Sequence, residues 1–196
     1  MHPLDKGRKL DTKEECPVDN FLYIFVEKLA PILNNLKITP NQVTFFSYIC
    51  ALISLYLLCS GSYKLSALFW AMNYLFDHTD GYMARKYNMI TKIGDKFDHI
   101  TDSLSHVILF YIFYKTKRYK ELFVISIVYV IMTHHLTCQE IIYDNMHESD
   151  ALNIINNLDL DINEKNIKYS RYFGPGMVNL LIVYFIYTSH NNFISK

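Results

Sequence analysis

The sequence is short of charge, of glycine and of cysteine. Charged side chains make up 19% of its 196 residues, against roughly 25% in an ordinary soluble domain. Lysine plus arginine and aspartate plus glutamate both number 19, so neither sign is in surplus. That balance excludes a generally basic nucleic-acid binder and a charged, disordered tail protein. The four cysteines (Cys16, Cys50, Cys59, Cys138) form no CxxC pair, and two lie inside one apolar run. They read as reduced or buried thiols, not as a disulfide framework. Only six glycines and four arginines are present, which gives weight to those that fall together. No internal repeat is evident, and about 200 residues suit one domain.

What the chain has instead is long stretches without any charge. Val43–Tyr63 is 21 consecutive residues free of Asp, Glu, Lys and Arg. Leu122–Gln139 and Tyr172–Ser195 are two further long runs, and Leu65–Phe76 and Ser103–Tyr114 are shorter ones of 12 residues each. A helix crossing the hydrocarbon core needs roughly 20 largely apolar residues, so the three long runs read as spans outright and an integral membrane protein is expected. Residues 1–20 carry nine charged side chains and no apolar signal-peptide core. They read as a polar leader, with the first long span acting as the insertion signal and residues 21–196 forming one membrane domain.

Phe21, Phe25, Leu29, Ile32, Leu33 and Leu36 recur at three- and four-residue steps, with Glu27, Lys28, Asn34 and Asn35 mostly opposite. This predicts an amphipathic helix over 21–36, interrupted or kinked at Pro31, which either lies on the membrane surface or packs on the end of a bundle. Spans are expected at about 43–62, from 65 through a polar stretch to 85, then at 96–114, 121–143 and 173–190. The polar, Asn-rich residues 144–170 read as a loop or surface helix. The expected fold is all-α, a membrane bundle of five to six transmembrane helices with an N-terminal amphipathic surface helix. The N-terminus, the 85–96 connection and the 144–171 loop together hold thirteen basic residues against six on the other side, which puts the first set in the cytosol. Lys115–Lys120 is a local violation and reads as a lipid-headgroup anchor.

Five of the twelve aspartates fall within residues 77–102. Ionisable groups at the end of a span or inside it are costly and default to a functional reading. Asp77, Asp80, Gly81 and Ala84 share one face of a helix that continues the second span. Gly94, Asp98 and Asp102 share one face of the helix that begins the third. An eight-residue connection, Lys86 to Ile93, lets the two run antiparallel, so each can offer two carboxylates to a shared point. Four bare carboxylates would repel strongly, which makes sense only with cations between them. Oxygen-only ligands favour Mg²⁺, Mn²⁺ or Ca²⁺ over zinc. Gly81 and Ala84 leave room for a ligand to approach the backbone, and the Arg85 fork suits a diphosphate. The bland alternative is a set of interfacial salt bridges with Arg85, Lys86, Lys92 and Lys96.

Asp77-His-Thr-Asp80-Gly81-Tyr-Met-Ala84-Arg85, then Gly94-Asp-Lys-Phe-Asp98-His-Ile-Thr-Asp102, fills all eight fixed positions of DxxDGxxAR…GxxxDxxxD. The chain thereby resembles the class-I CDP-alcohol phosphotransferases. Pro40-Asn41-Gln-Val-Thr44 also resembles that family's entry into the first span. The resemblance is close over about residues 38–115 and elsewhere holds only in helix pattern. It implies a bilayer-embedded transferase that moves a phosphoalcohol from a CDP-linked alcohol to an acceptor hydroxyl and releases CMP, in phospholipid synthesis. It implies that Asp77, Asp80 and Asp98 hold Mg²⁺ or Mn²⁺, two ions in all, and that Asp102 completes the metal site or acts as general base. Gly81, Ala84 and Arg85, with Asn41, Thr44 and Gly94, would bind the CDP moiety. The expected partners are the CDP-linked alcohol, a lipid or small-alcohol acceptor and membrane lipids, with no nucleic acid; a homodimer is compatible. The family core usually has six spans against the five counted here. Phe97–Ser103 and Tyr169–Gly176 look most like the choline/ethanolamine branch.

His134 and His135, with Glu140, are candidates for the acceptor pocket or for helix-end hydrogen bonds. His78 follows Asp77 directly, so it is expected to point elsewhere on the helix. Two competing functions are a membrane prenyltransferase, which also grips a diphosphate with DxxD helices, and a non-catalytic divalent-cation carrier or scaffold.

Overall fold

A computed structural model describes residues 6–8, 10, 12–143 and 169–189. Among these the chain forms six α-helices and no strand: α1 (Pro17–Asn35), α2 (Pro40–Cys59), α3 (Tyr63–Lys86), α4 (Lys92–Lys115), α5 (Tyr119–Tyr143) and α6 (Pro175–Tyr187), the last preceded by a 3-10 turn at Arg171–Phe173. The stretch expected as a polar loop or further helix, 144–170, lies almost wholly outside the described residues.

Local chemistry accounts for the helix ends. Pro17, Pro40 and Pro175 occupy first-turn positions, where a missing N–H costs nothing. Gln42 Oε1 accepts the Thr39 N–H at 2.9 Å, and Thr91 Oγ1 accepts the Gly94 N–H at 3.0 Å, capping α2 and α4. Lys37, Gly61, Asn88 and Lys117 follow α1 to α4 with φ of 59°, 80°, 54° and 58°. The next N–H in each case reaches back to a last-turn carbonyl, as from Met89 to Ala84 at 2.8 Å. This is the left-handed closure that ends a helix and reverses the chain.

Two expected boundaries move. The first helix begins at Pro17, inside the stretch expected to be leader, and it runs through Pro31 without a break. The link between the acid-bearing helices is Tyr87–Thr91, shorter than the expected Lys86–Ile93, because Thr91 caps α4 two residues early. By length and apolarity α2 is the one described helix that qualifies as a membrane span. Helices α3, α4 and α5 have 24, 24 and 25 residues, about 36 Å each, but α3 and α4 carry the acids.

Helices α2 and α3 form a hairpin held by small polar residues. The hydroxyls of Ser54 and Ser66 each donate to the other's carbonyl at 2.8 Å, and Asn73 Nδ2 donates to Ser47 Oγ at 2.7 Å. Such residues let helices approach closely where apolar burial gives no preference between protein and lipid. Helix α3 also packs on α6 and α1, while α4 packs on α2 and α5. One apolar cluster, around Trp70, Leu109, Phe113 and Ile182, fills the bundle; a second, around Tyr23, Val26, Val43 and Tyr82, seats α1.

Of the two expected placements of α1, packing on the bundle is what forms along one of its faces. Asp19, Tyr23, Val26 and Ala30 face the bundle, while Phe21, Phe25, Ile32 and Leu36 face outward. Gly176, in the first turn of α6, makes the seat possible. A Cβ there would lie 2.2 Å from Asp19 Oδ1 and 2.8 Å from Val18 Cβ. We expect Gly176→Ala to destabilise the bundle by about 1–3 kcal/mol through this overpacking, read as a lowered midpoint in thermal unfolding of the purified protein.

Candidate active site

Asp77 on α3 and Asp98 and Asp102 on α4 each offer an oxygen, and the three atoms lie within 4.8 Å of one another. All three residues are half-buried. The Asp77 carboxyl is within hydrogen-bonding reach of both others. Asp80, one turn on from Asp77, is 5% exposed and turns to α2, where the Thr44 hydroxyl donates to its Oδ2 at 2.6 Å. Three of the four expected ligands therefore converge, and the fourth stands beside them on its own support. Asp95 is apart: it is exposed and faces His99 at 3.7 Å.

The expected nucleotide-binding residues divide. Thr44 is buried and spent on Asp80 and the Pro40 carbonyl, which makes it a support for a carboxylate. Asn41 and Gly94 meet each other. A Cβ on Gly94 would lie 2.4 Å from Asn41 Oδ1, so this glycine allows the N-termini of α2 and α4 to touch. Arg85 Nε donates to the Gly7 carbonyl at 2.8 Å, tying down the N-terminal segment. Its Nη1 lies 3.3 Å from where a Gly81 Cβ would be, so the room expected beside Gly81 is occupied by Arg85 itself. Ala84 is half-buried between them in sequence.

Sequence reasoning missed the neighbour of Asp77. His78 does not point away: its Nδ1 lies 3.9 Å from Asp77 Oδ2 and its Nε2 lies 3.6 Å from Asp19 Oδ1. Its ring packs against Tyr74 and Tyr23, with centroids 4.7 Å and 5.6 Å away. The one available signal was that Tyr74 and His78 are four apart on a helix face. Among the described residues none of Arg85, Lys86, Lys92 and Lys96 ion-pairs with the four carboxylates, so the salt-bridge alternative is not what forms. His135 is buried and bonds Ser170 Oγ at 2.8 Å; the side chains of His134 and Glu140 lie outside the described residues. Arg118, expected in a headgroup anchor, is 5% exposed and bonds Glu121 at 3.0 Å, with its guanidinium over the Phe113 ring. A cavity of about 340 Å³ at that end, lined by Leu58, Phe113 and Arg118, is remote from the acids.

The donor set fits a hard divalent cation. It is all carboxylate oxygen, and Asp98 Oδ1 is buried without a hydrogen-bond partner among the described residues. A native orphan of this kind calls for an ion or water to satisfy it.

Beside the centre, α1 brings further buried acid. Glu15 is 7% exposed, and burial, then the nearby Asp19 charge, push its carboxyl above the ordinary glutamate range. Burial, then Glu15, also push the Tyr23 phenol up to about 12.

The fold and the site define a helical bundle with an all-carboxylate cluster between two helices, of a kind that could hold a divalent cation. The chain belongs to the CDP-alcohol phosphatidyltransferase family, whose model matches residues 37–153. That family is membrane-embedded and generally divalent-cation dependent. The chain is 42% identical over 71 residues to a CDP-diacylglycerol–glycerol-3-phosphate 3-phosphatidyltransferase of Rickettsia felis, 35% of this chain and 39% of that one. It is 30% identical over 80 residues to an archaetidylinositol phosphate synthase of Pyrococcus horikoshii, 41% and 43% of the two chains. It is 31% identical over 104 residues to a CDP-diacylglycerol–inositol 3-phosphatidyltransferase of Candida albicans, 52% and 38% of the two. The matches thus span well under half the length of these relatives. No solved structure matches.

Thr44→Val strips a hydrogen bond from a buried carboxylate and should cost about 1.5–3 kcal/mol, with Thr44→Ser recovering most of the loss in thermal unfolding. Because its pKa is raised in the fold, Glu15 contributes stability that is full below the ordinary glutamate pKa and is lost as pH rises through the raised value. Glu15→Gln should therefore raise the unfolding midpoint at neutral pH, the gain vanishing on acidification into the ordinary glutamate range.

Proposed function

We propose that the chain is a multi-pass transferase that moves a substituted phosphate group from a CDP-linked donor to an acceptor hydroxyl, releasing CMP, in phospholipid synthesis. The observation that carries this is the convergence of Asp77, Asp98 and Asp102 within 4.8 Å, with the Asp98 oxygen orphaned, inside a complete family signature. Asp77, Asp98 and Asp102, with Asp80 alongside, would hold Mg²⁺ or Mn²⁺, two ions in the full site. When bound, such cations neutralise the diphosphate and the charge that builds on the phosphoryl oxygens.

The rest of the work falls to the chain. The acceptor oxygen attacks the phosphorus that bears the alcohol; that P–O bond forms as the phosphoanhydride bond breaks, and CMP leaves. Asp102, the member of the cluster deepest along α4, takes the acceptor proton as the new bond forms. Asn41, Thr44 and Gly94 set the floor of the nucleotide side by joining α2 to α4 and fixing Asp80. Gly81, Ala84 and Arg85 would form its wall on α3, where the Arg85 fork suits a diphosphate. The bias of basic residues puts this end of the bundle at the cytosolic face, with α2 to α6 crossing the bilayer.

The relatives' names speak of CDP-diacylglycerol as donor, which favours a phosphatidyl group over phosphocholine or phosphoethanolamine. The test is CMP release by membranes carrying the protein, with CDP-diacylglycerol, CDP-choline and CDP-ethanolamine in parallel, each with Mg²⁺ or Mn²⁺ and with chelator. We expect chelator-sensitive turnover of CDP-diacylglycerol, reduced at least ~100-fold in Asp98→Asn and in Asp102→Asn. Turnover of the other donors instead would move the chain to the choline/ethanolamine branch. Full activity in both variants, turnover of a prenyl diphosphate, or metal flux without CMP would overturn the assignment.

A further inference from the structure

Resting on the reading of Asp77 as a cation ligand, we propose that Asp19 and His78 are positioning residues for it, an outer support that sets how tightly the centre holds its divalent cation.

The support begins at a buried carboxylate that α1 delivers. Asp19 is 1% exposed in the first turn of α1. Its Oδ1 accepts the Tyr74 hydroxyl at 2.7 Å, and its Oδ2 accepts the Gly176 N–H at 3.3 Å. One side chain thus ties α1 to α3 and α6. The only residue that fits opposite it is glycine, since a Cβ at 176 would overlap Oδ1. Asp19 is therefore held in place from three helices, and it has a face left for His78.

His78 carries that fixed position onward to the cluster. Its side chain is 15% exposed, with Nε2 at 3.6 Å from Asp19 and Nδ1 at 3.9 Å from Asp77. These are ion-pair separations and not hydrogen bonds. The ring cannot swing away, because Tyr74 and Tyr23 stand against it. A ring locked between two carboxylates, one immobile and one in the cluster, restricts the orientations open to Asp77 before any ion arrives. Ligating carboxylates and histidines are usually oriented in this way by partners one layer out, and losing such a partner typically weakens metal binding ~10–100-fold. Hydrogen bonding alone does not require this arrangement: Tyr74 and Gly176 already bond both Asp19 oxygens without His78.

The experiment is direct Mn²⁺ binding to the full-length protein in lipid nanodiscs, with free Mn²⁺ followed by its paramagnetic resonance signal and the unfolding midpoint measured on each sample. We expect His78→Gln and Asp19→Asn to weaken Mn²⁺ binding by ~10–100-fold. Ser54→Ala, which breaks the distant α2–α3 staple, should lower the midpoint and leave binding intact. Should Asp19→Asn fail to fold, His78→Gln carries the result alone. Wild-type Mn²⁺ affinity in His78→Gln, alongside its loss in Asp98→Asn, would overturn the proposal. Undiminished binding in Asp98→Asn would instead bring down the metal reading on which it rests.

Discussion

Three carboxylate oxygens within 4.8 Å of one another repel with a strength that depends on what surrounds them. At an effective dielectric near 20, each pair of unit charges at that separation costs about 3–4 kcal/mol. Among the described residues no lysine or arginine forms an ion pair with the cluster, and His78 is a basic group that stands against it. Helices α3 and α4 both lean on α2 while making little direct backbone approach to each other, so their acid-bearing faces meet through the carboxyls alone, at a spacing set by helix packing elsewhere.

Helix α2 is the element that sets the spacing of the two acid-bearing helices. Its serines grip α3 along one side, through Ser47 and Ser54, and its N-terminal turn reaches α4 through Asn41 against Gly94. Thr44, one turn in, fixes Asp80 from the same helix. The only described helix apolar enough to cross a bilayer unaided is thus also the one that carries both acid-bearing helices. It can be so because Thr44, Ser47 and Ser54 are small hydroxyls turned inward, each with a protein partner, which hydrocarbon tolerates. The acids themselves sit where α3 ends and α4 begins, at the level of the α2 N-terminus, so their charge stays near one end of the bundle.

The legible parts of this site follow helical periodicity, and the illegible parts follow tertiary contact. Asp77, Asp98 and Asp102 could be placed together because steps of three and four residues define a face and a short polar link forces two faces to oppose. The same logic predicted the all-helical class and the approximate helix bounds. It failed wherever a distant segment supplied the partner. His78 is adjacent to Asp77 and periodicity sends it elsewhere, yet Asp19, more than fifty residues away, draws its ring back towards the cluster. Arg85 has the right spacing to face a ligand, but the Gly7 carbonyl takes its Nε. Periodicity alone left open which face of α1 docks, because the helix has two apolar stripes, and the small one, with Val26 and Ala30, is the one buried in the bundle. Boundaries moved for a simpler reason: a proline at the first position of α1 and a threonine cap on α4 outweigh the polarity of the residues around them.

The arrangement at Asn41 and Gly94 adds an electrostatic consequence that no single residue carries. Where α2 and α4 touch, two helix N-termini lie side by side, and each brings unsatisfied N–H groups equivalent to roughly half a positive charge. Asp80 stands against Thr44, one turn into α2, and Asp98 lies in the second turn of α4. The C-terminal end of α3 faces the other way and would raise the negative potential, but its last turn ends in Arg85 and Lys86. The three helix termini at this end therefore favour anionic groups, from protein or ligand. A Cβ at 94 would overlap the Asn41 amide of α2 and the Thr91 cap hydroxyl of α4 itself, which makes the contact between the two N-termini, and the cap of one of them, dependent on that glycine.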